Sequence, residues 1–499
     1  MDAIPAEAPD SPAHTLATLI RARAAETPAA PWLEDARSER VIDFAGLGRS
    51  AAFWRVTLDD LGVGPGGSVV VDVADPLAFA LAHVSIVAAG RRSVPTNPDL
   101  TGAELTRISD LLGGAPVVVT DRDDRNVGTA TIVRVATGTE PSTEPGADPS
   151  EADAGEGSVL LFTSGSTGEP KGVELSEKQL MFVARGIAAH NRLTPGDRGY
   201  NALPLFHVNA EVVGLLATLV AGATLVLDRR FHRTGFWQLL SERRVTWINA
   251  VPAILAVLAR GGEFAIPESV RFVRSASAPL PDAVRTALGA TPLVVSWGMT
   301  EGASQITATP LGEPLREGSV GLPVGNEVEA RDEHGARLAP NEIGALWVRG
   351  PGIVTGYFNG RAADRFDAEG WLSSGDLGFV DEDGWVFLVG RSDDVINRGG
   401  EKVYPAEVEE VLLGDERVRE AVVVGRNDPI LHQVPVAYVI PVDSGVIDRD
   451  QLVADLLARV EQHLPRFKRP IEISVVDDVP RAPTGKVQRN RVRALAESE

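Results

Sequence analysis

Leu160-Leu161-Phe162-Thr163-Ser164-Gly165-Ser166-Thr167-Gly168-Glu169-Pro170-Lys171-Gly172 is the stretch around which the whole chain can be read. Ser158 to Phe162 has the character of a buried strand. A loop dense in hydroxyls and glycines follows it, with one lysine. Glycines such as Gly165 and Gly168 let the backbone take positive φ and come close to a ligand. Successive backbone N–H groups in such a loop form a concave anion nest. Thr163, Ser164, Ser166 and Thr167 add hydroxyl donors, and Lys171 adds positive charge. The expected occupant is a polyphosphate. The G-x-x-x-x-G-K-[ST] order of a Walker loop is absent. An ordinary Ser/Gly turn is the competing reading, but so many anion-binding groups rarely crowd one turn by accident.

Outward from that stretch, the 499 residues are 44% hydrophobic, enough for several cores, and the length suggests roughly three domains. A net charge of −21 speaks against nucleic acid or an anionic membrane surface as a partner. With no cysteine, thiol catalysis and disulfides are excluded, and the 8 histidines form no tight ligand cluster. The first residues lack the basic and apolar regions of a secretory signal. The longest apolar run, Val212 to Leu227, is interrupted by Gly214 and Gly222 and is short for a membrane span. It reads better as a buried helix running into a strand. The expected location is the cytoplasm.

In order, residues 1–12 are Ala/Pro/acid-rich and read as loose. Thr15 to Ala25 has helical spacing, Ser68 to Val73 reads as a strand, Pro76 to Ala89 as a helix and Ala115 to Thr120 as a strand. Thr137 to Gly157 reads as a linker. Helix and strand alternate again over Glu177–Asn191, Glu211–Val220, Thr224–Leu227, Gly235–Arg243 and Thr246–Asn249. A β-rich section spans about 318 to 388. A small α+β module begins near Tyr404, with Pro405 in a first helical turn, strands at Val418–Val424 and Val434–Ile440, and an amphipathic helix at Gln451–Leu464. The expected fold class is therefore α/β: parallel-sheet subdomains with a β-rich section, and a small α+β C-terminal domain.

Several further stretches carry chemistry. Leu203-Pro204-Leu205-Phe206-His207-Val208-Asn209-Ala210 sets a histidine between apolar residues, where a structural histidine is the ordinary reading. Ser275-Ala276-Ser277-Ala278-Pro279 is a turn of small residues after a strand. Val294-Val295-Ser296-Trp297-Gly298-Met299-Thr300-Glu301-Gly302 ends a strand in an aromatic that can stack on a base, a hydroxyl that can reach a phosphate and a carboxylate that can hold Mg²⁺. Trp371 to Gly378 places Asp376 in a tight glycine-flanked turn, where an aspartate can accept both ribose hydroxyls. Gly390 to Lys402 is a polar, glycine-rich boundary. Arg481-Ala482-Pro483-Thr484-Gly485-Lys486 reads by itself as a solvated basic tail.

Taken together, these stretches resemble the AMP-forming acyl-adenylate superfamily of acyl-CoA synthetases, adenylation domains and luciferases. Thr163 to Gly172 fits that family's T-S-G-[ST]-T-G-x-P-K-G at every fixed position. Trp297-Gly298-Met299-Thr300-Glu301 is similar to Y-G-x-T-E with tryptophan for tyrosine, and Ser374-Gly375-Asp376 to T-G-D with serine for threonine. The six motifs follow the family's order from about 158 to 489. The resemblance implies ATP and Mg²⁺ as cofactors, with Glu301 on the metal and the Thr163–Lys171 loop on the phosphates. It places Ser277, Ala278, Pro279, Ser296, Trp297 and Gly298 at the nucleotide and Thr300 at a phosphate, with Asp376 and Arg391 on the ribose. It makes Lys486 the catalytic lysine, Asp393 the hinge between domains 1–391 and 392–499, and His207 a residue of the acyl pocket. Gly399, Gly400, Lys402 and Trp237 would line an acceptor channel.

The implied reaction joins a carboxylic acid to AMP with release of pyrophosphate, then passes the acyl group to coenzyme A. An amide synthetase using an amine, a ligase serving a carrier-protein thiol and a nucleotide-binding regulator without turnover are the alternatives. The chain ends ten residues after Arg489, so no fused carrier domain is expected. The assembly is expected to be a monomer or homodimer. Phe231 to Val251 looks most like carnitine-type and oxalyl-type ligases. Oxalate-type enzymes usually carry His-Val-His-Gly where this chain has His207-Val208-Asn209-Ala210, which speaks against a small diacid. His207, Asn209, Ala210, Val213, Ser275, Trp297, Met299 and Gln305 outline a mid-sized, largely apolar pocket, with Asn209 and Gln305 able to orient a polar group. No second arginine obviously pairs a distal carboxylate: Arg271 and Arg274 are the only nearby candidates.

Overall fold

The computed structural model describes residues 15–114, 116–136, 155–164, 170–259, 265–278, 280, 282–360, 362–442, 447–481 and 487–498. The chain divides into two compact units. The first is Met1–Val328 with Val348–Leu372, and the second is Glu329–Trp347 with Ser373–Glu499.

The first unit is built on two mainly parallel sheets. A six-stranded sheet runs Thr131–Arg134, Val117–Thr120, Ser68–Asp72, Arg92–Pro95, Ser158–Ser164, Pro170–Ser176. Its valine-rich strands Ser68–Asp72 and Val117–Thr120 are buried almost throughout, as parallel strands covered on both faces must be. The last two strands form an antiparallel hairpin in the register Phe162↔Gly172 and Thr163↔Lys171. Thr163, Ser164 and Pro170 to Gly172, expected to be loop, are thus strand. Pro170 is tolerated because it begins an edge strand, where no ladder N–H is required of it. Ser176 then caps the Glu177–His190 helix in a reciprocal capping box with Gln179.

A nine-stranded sheet runs Leu322–Pro323, Thr307–Ala308, Leu293–Trp297, Phe272–Ala276, Trp247–Ala250, Arg198–Asn201, Thr224–Leu227, Pro31–Asp35, Val41–Asp43. Alternation gives the two faces of its middle different characters. Tyr200, Ile248 and Val273 stand in register on adjacent strands and enter an apolar cluster with Phe236, Leu240, Leu255 and Leu288. The next residue on each strand, Asn201, Asn249 and Arg274, lies in register on the opposite face. Burying each Leu or Phe on the apolar face contributes about 1.5–3 kcal/mol. The polar row contributes nothing of that kind and calls for partners.

Glu211 to Val220 was expected to form an ordinary α-helix. It is a π-helix over Asn209–Leu216, continuing as α-helix over Ala217–Ala221 and closed by Gly222 at φ 68°. Wide turns of this kind occur mostly as local bulges at functional sites.

The second unit holds most of a four-stranded sheet, Glu327–Arg331, Gly344–Arg349, Leu372–Val380, Val386–Arg391, and a five-stranded sheet built on the long pair Val418–Asp428 and His432–Pro441. The Pro405–Leu413 and Arg449–His463 helices bury Val408, Leu412, Leu452, Leu456 and Val460 against the five-stranded sheet.

Candidate active site

The hairpin brings Lys171 to the ring of Tyr357, its Nζ 6.0 Å from the centroid. Tyr357 donates its hydroxyl to Glu301 Oε1 at 2.6 Å, and Arg365 Nη1 donates to the same oxygen at 2.9 Å. Arg365 also bonds the Tyr357 hydroxyl. Burial, and then the Glu301 charge, push the phenol well above its usual range, so it remains a donor. Glu301 itself is buried on the short helix Thr300–Gly302 that follows the Leu293–Trp297 strand. The result is a buried carboxylate held on one oxygen by Tyr357 and Arg365, with Lys171 over the ring of the same Tyr357.

The backbone here is constrained. A side chain on Gly298 would meet the Ser304 carbonyl oxygen at 1.7 Å, so only glycine fits. Ser277, Ala303 and Ser304 have φ of 78°, 48° and 86°. Such conformations cost on the order of 1–3 kcal/mol each and cluster at functional sites. Trp297 is 6% exposed and Ser296 Oγ is buried without a hydrogen-bond partner. Thr300 and Met299 are half-buried, and Ala278 is exposed.

On the polar face of the nine-stranded sheet, Arg274 is fully buried at 0% exposure. Its Nη1 donates to Asn209 Oδ1 at 3.2 Å and to Asn249 Oδ1 at 3.1 Å. Nε and Nη2 donate to Gln305 Oε1 at 3.4 and 3.3 Å. Asn249 Nδ2 donates to Asn201 Oδ1 and Asn209 Oδ1, and Asn209 Nδ2 reaches the exposed Ser277. Burial pulls the guanidinium down to about 9, which still leaves it charged at neutral pH. Arg271 is committed elsewhere, to Asp197 at 2.7 Å. Asn209 and Gln305, expected to orient a polar group in a largely apolar pocket, sit on a buried cation. Ala210 and Val213 are buried in the π-helix, and Ser275 Oγ is buried without a partner. His207 lies against Phe206, with ring centroids 4.6 Å apart. Burial pushes its imidazole down to about 4, so it is neutral at pH 7, and its Nε2 has no partner. Trp237 packs edge-on against Phe236 beside the apolar cluster.

In the second unit, Asp376 was expected in a tight turn. It sits in mid-strand, in Leu372–Val380, where alternation buries Leu372, Ser374 and Asp376 together. The turn-like signal is Gly375, at φ 78° within the strand. Asp376 faces its register partner Arg391, with Oδ1 accepting from Nη1 at 3.0 Å. Asp393 lies in the short helix Ser392–Asp394, and its carbonyl accepts from Arg493 at 3.2 Å. Gly399 and Gly400, at φ 61° and 95°, form the turn of a hairpin between Ile396–Arg398 and Glu401–Val403, on which Lys402 is exposed.

Gly165, Ser166, Thr167, Gly168, Pro279 and Lys486 lie outside the described residues, as do the side chains of Thr163 and Ser164. Tyr357, Arg365, Asn201, Asn249 and the placement of Arg274 went unread in the sequence. No short motif links residues 56 positions apart, as Glu301 and Tyr357 are. Only the spacing of Asn201 and Asn249 at matching strand ends carried a trace of the row.

Comparison with known proteins agrees with this geometry. Residues 20–358 match the family model described as AMP-binding enzyme, and residues 407–486 that of the AMP-binding enzyme C-terminal domain. The chain belongs to this family, the AMP-forming acyl-CoA synthetase superfamily, and is an AMP-forming ligase. It is 32% identical to the sulfoacetate–CoA ligase of Cupriavidus necator over 95% of this chain and 96% of that one. It is 32% identical to the oxalate–CoA ligase of Arabidopsis thaliana over 87% and 89%. The structure of o-succinylbenzoate CoA synthetase from Bacillus subtilis with its acyl-adenylate intermediate superimposes with a TM-score of 0.82, at 28% identity, covering 95% of this chain and 97% of that one. The same Bacillus enzyme with ATP and a magnesium ion gives a TM-score of 0.81, at 29% identity, over 95% and 98%.

Proposed function

We propose that this chain converts a carboxylic acid and ATP to an acyl-adenylate and pyrophosphate, then passes the acyl group to coenzyme A with release of AMP. The observation that carries the reading is the buried Glu301 carboxylate, held on one oxygen by Tyr357 and Arg365, with Lys171 over the ring of the same Tyr357. In the first step an oxygen of the acid attacks the α-phosphorus and the bond to pyrophosphate breaks. In the second the thiol attacks the acyl carbon and the bond to AMP breaks. Transfers of this kind are accelerated mainly by positioning and by charges arranged in advance.

Magnesium fits the donor set. Among the described residues no group of three or more His, Asp or Glu side chains could hold a metal alone. Magnesium is usually held by one or two carboxylates plus substrate phosphates, and both contacts to Glu301 fall on Oε1, leaving Oε2 acceptor capacity for a cation carried by the nucleotide. The metal would neutralise charge on the phosphates. The hairpin residues Thr163 to Lys171 would cradle the phosphates, with Thr300 beside them, and Lys486 would supply a mobile cation. Trp297, Gly298 and Ser277 would form the base site, Asp376 and Arg391 would receive the ribose, and neutral His207 would flank the acyl group. Gly399, Gly400, Lys402 and Trp237 would serve the incoming thiol. Asp393 would be the hinge of a C-terminal domain beginning at 392. Among the described residues no helix is long and apolar enough to cross a membrane. The acidic charge disfavours nucleic acid and anionic membrane surfaces as partners, and a cytoplasmic monomer or homodimer is part of the proposal.

The test is pyrophosphate release by the purified protein with ATP, magnesium and a panel of carboxylic acids, followed by CoA or amines as acceptors. Acid-dependent pyrophosphate release and CoA-dependent AMP release are expected. Transfer to amines with CoA inert would replace the thiol by an amine as the acceptor.

A further inference from the structure

Arg274 presents an unbalanced account of charge and donors. A guanidinium has five N–H donors and no acceptor. Its neighbours answer it only with neutral amide oxygens, those of Asn209, Asn249 and Gln305. Among the described residues no carboxylate pairs with it, although an isolated buried charge is expensive. The acceptors around it are already shared: Asn209 Oδ1 takes both Arg274 and Asn249, and Gln305 Oε1 takes two of the guanidinium nitrogens. Gln305 is 1% exposed, and its Nε2, on the same amide that caps the guanidinium, has no partner among the described residues. The cluster therefore has surplus donors and a surplus positive charge. What completes it is an acceptor-only anion.

The position says which anion. Asn209 stands between Arg274 and the exposed Ser277, on the π-helix that begins two residues after His207. The cluster thus borders the pocket assigned above to the acyl group. The reacting carboxylate of the substrate is consumed in bonding to phosphorus, so it is not the group that Arg274 keeps.

We propose that the acid activated here carries a second anionic group, a carboxylate or a sulfonate, and that Arg274 receives that group, with Gln305 Nε2 donating alongside and the Asn209 carbonyl giving up its place on Nη1. This rests on the reading of the chain as an acid-activating ligase and reverses the sequence-based argument against a small diacid. Asn209 then acts as a cover over a preformed cationic seat. The fork of the guanidinium matches carboxylate and sulfonate oxygens equally, so substrate length and headgroup size decide between them.

The experiment is ATP–pyrophosphate exchange with three acids of one backbone length, succinate, 3-sulfopropionate and butyrate, and the shorter set malonate, sulfoacetate and propionate. In the wild type at least one dianion should exceed its monoanionic counterpart in kcat/KM by about 10–100-fold, the range for one hydrogen bond to a charged group. Whichever headgroup wins identifies the source of the anion. Arg274→Met should remove that preference and Arg274→Lys should restore part of it. Should Arg274→Met fail to fold, Gln305→Glu serves instead. It seats an internal carboxylate on the guanidinium, and should keep the fold while abolishing the dianion preference. A wild type that prefers the monoanions, or a preference unchanged in both variants, overturns the proposal. Exchange with none of the acids in a protein that binds ATP also overturns it. Failure to bind ATP at all would instead overturn the underlying reading of the chain as a ligase.

Discussion

Two buried arginines of the first unit make opposite arrangements. Arg125, beside the six-stranded sheet, donates Nε to Asp72 Oδ2 at 2.6 Å and Nη2 to Asp72 Oδ1 at 3.3 Å, and Pro98 O takes another N–H. Asp72 lies at the end of the central strand Ser68–Asp72, so charge and counter-charge belong to one fold element and its neighbour. Arg274, in the nine-stranded sheet, has three neutral amides and, among the described residues, no acid. A buried charge paired within the protein is compatible with a purely structural role. One left without a counter-ion at a pocket wall marks a place where a ligand completes the electrostatics.

The largest effect should come from breaking the paired arginine. Asp72→Ala strands the Arg125 charge in the interior and should cost about 3–5 kcal/mol of stability, read as a lowered urea midpoint. A loss below about 1 kcal/mol would mean that water reaches Arg125 and that the contrast with Arg274 is one of exposure only.

Next comes Glu301→Gln. The amide retains the size of the side chain and an acceptor for Tyr357 and Arg365 but loses the charge. Pyrophosphate exchange should fall about 10²–10³-fold, as when one preorganised electrostatic contact is removed, with the melting temperature nearly unchanged. If melting and activity decline together, the Tyr357–Arg365–Glu301 cluster is a structural pair like Arg125–Asp72.

His207 supplies a pH test on the same pocket wall. Its folded pKa is near 4 and its ordinary value is 6.5. Between those values the unfolded chain holds a proton that the folded chain does not, so stability from this residue is full above about pH 6.5 and falls as pH drops toward 4. The loss should approach the order of 3 kcal/mol. His207→Gln should flatten that part of the urea midpoint against pH curve. An unchanged curve would place His207 in water.

The smallest stability effect should be that of Arg274→Met, about 1 kcal/mol or less, because removing an unpaired buried charge offsets the amide hydrogen bonds lost with it. Equality with Asp72→Ala in a denaturant melt would erase the distinction between the two arginines.

Local patterns carried much of the fold. Strand–helix alternation placed Thr224–Leu227 at its observed bounds and Glu177–His190 to within one residue, and Pro405 opens the Pro405–Leu413 helix as its first-turn position suggested. Gly222 marked a helix end because only its positive φ closes that turn cheaply. The π-helix at Asn209–Leu216 was read as an α-helix, since a run that is buried all round has no periodicity to separate the two. The strand from Pro170 was read as loop because its proline and glycine are turn signals, and only pairing with Ser158–Ser164 overrides them. Asp376 was misplaced in a turn for the same reason.

The sequence by itself determined the family, the order of the site motifs and the chemistry of an acid joined to a nucleotide, because those rest on residues adjacent along the chain. Only the tertiary structure decided what surrounds Glu301 and Arg274. Tyr357 and Arg365 reach Glu301 from a segment more than fifty residues away. The Asn201–Asn249–Arg274 row exists only because three parallel strands fall into one register. The charge balance of a buried group depends on neighbours in space, and in a parallel sheet each neighbouring strand is separated by a crossover long enough to erase any local signal.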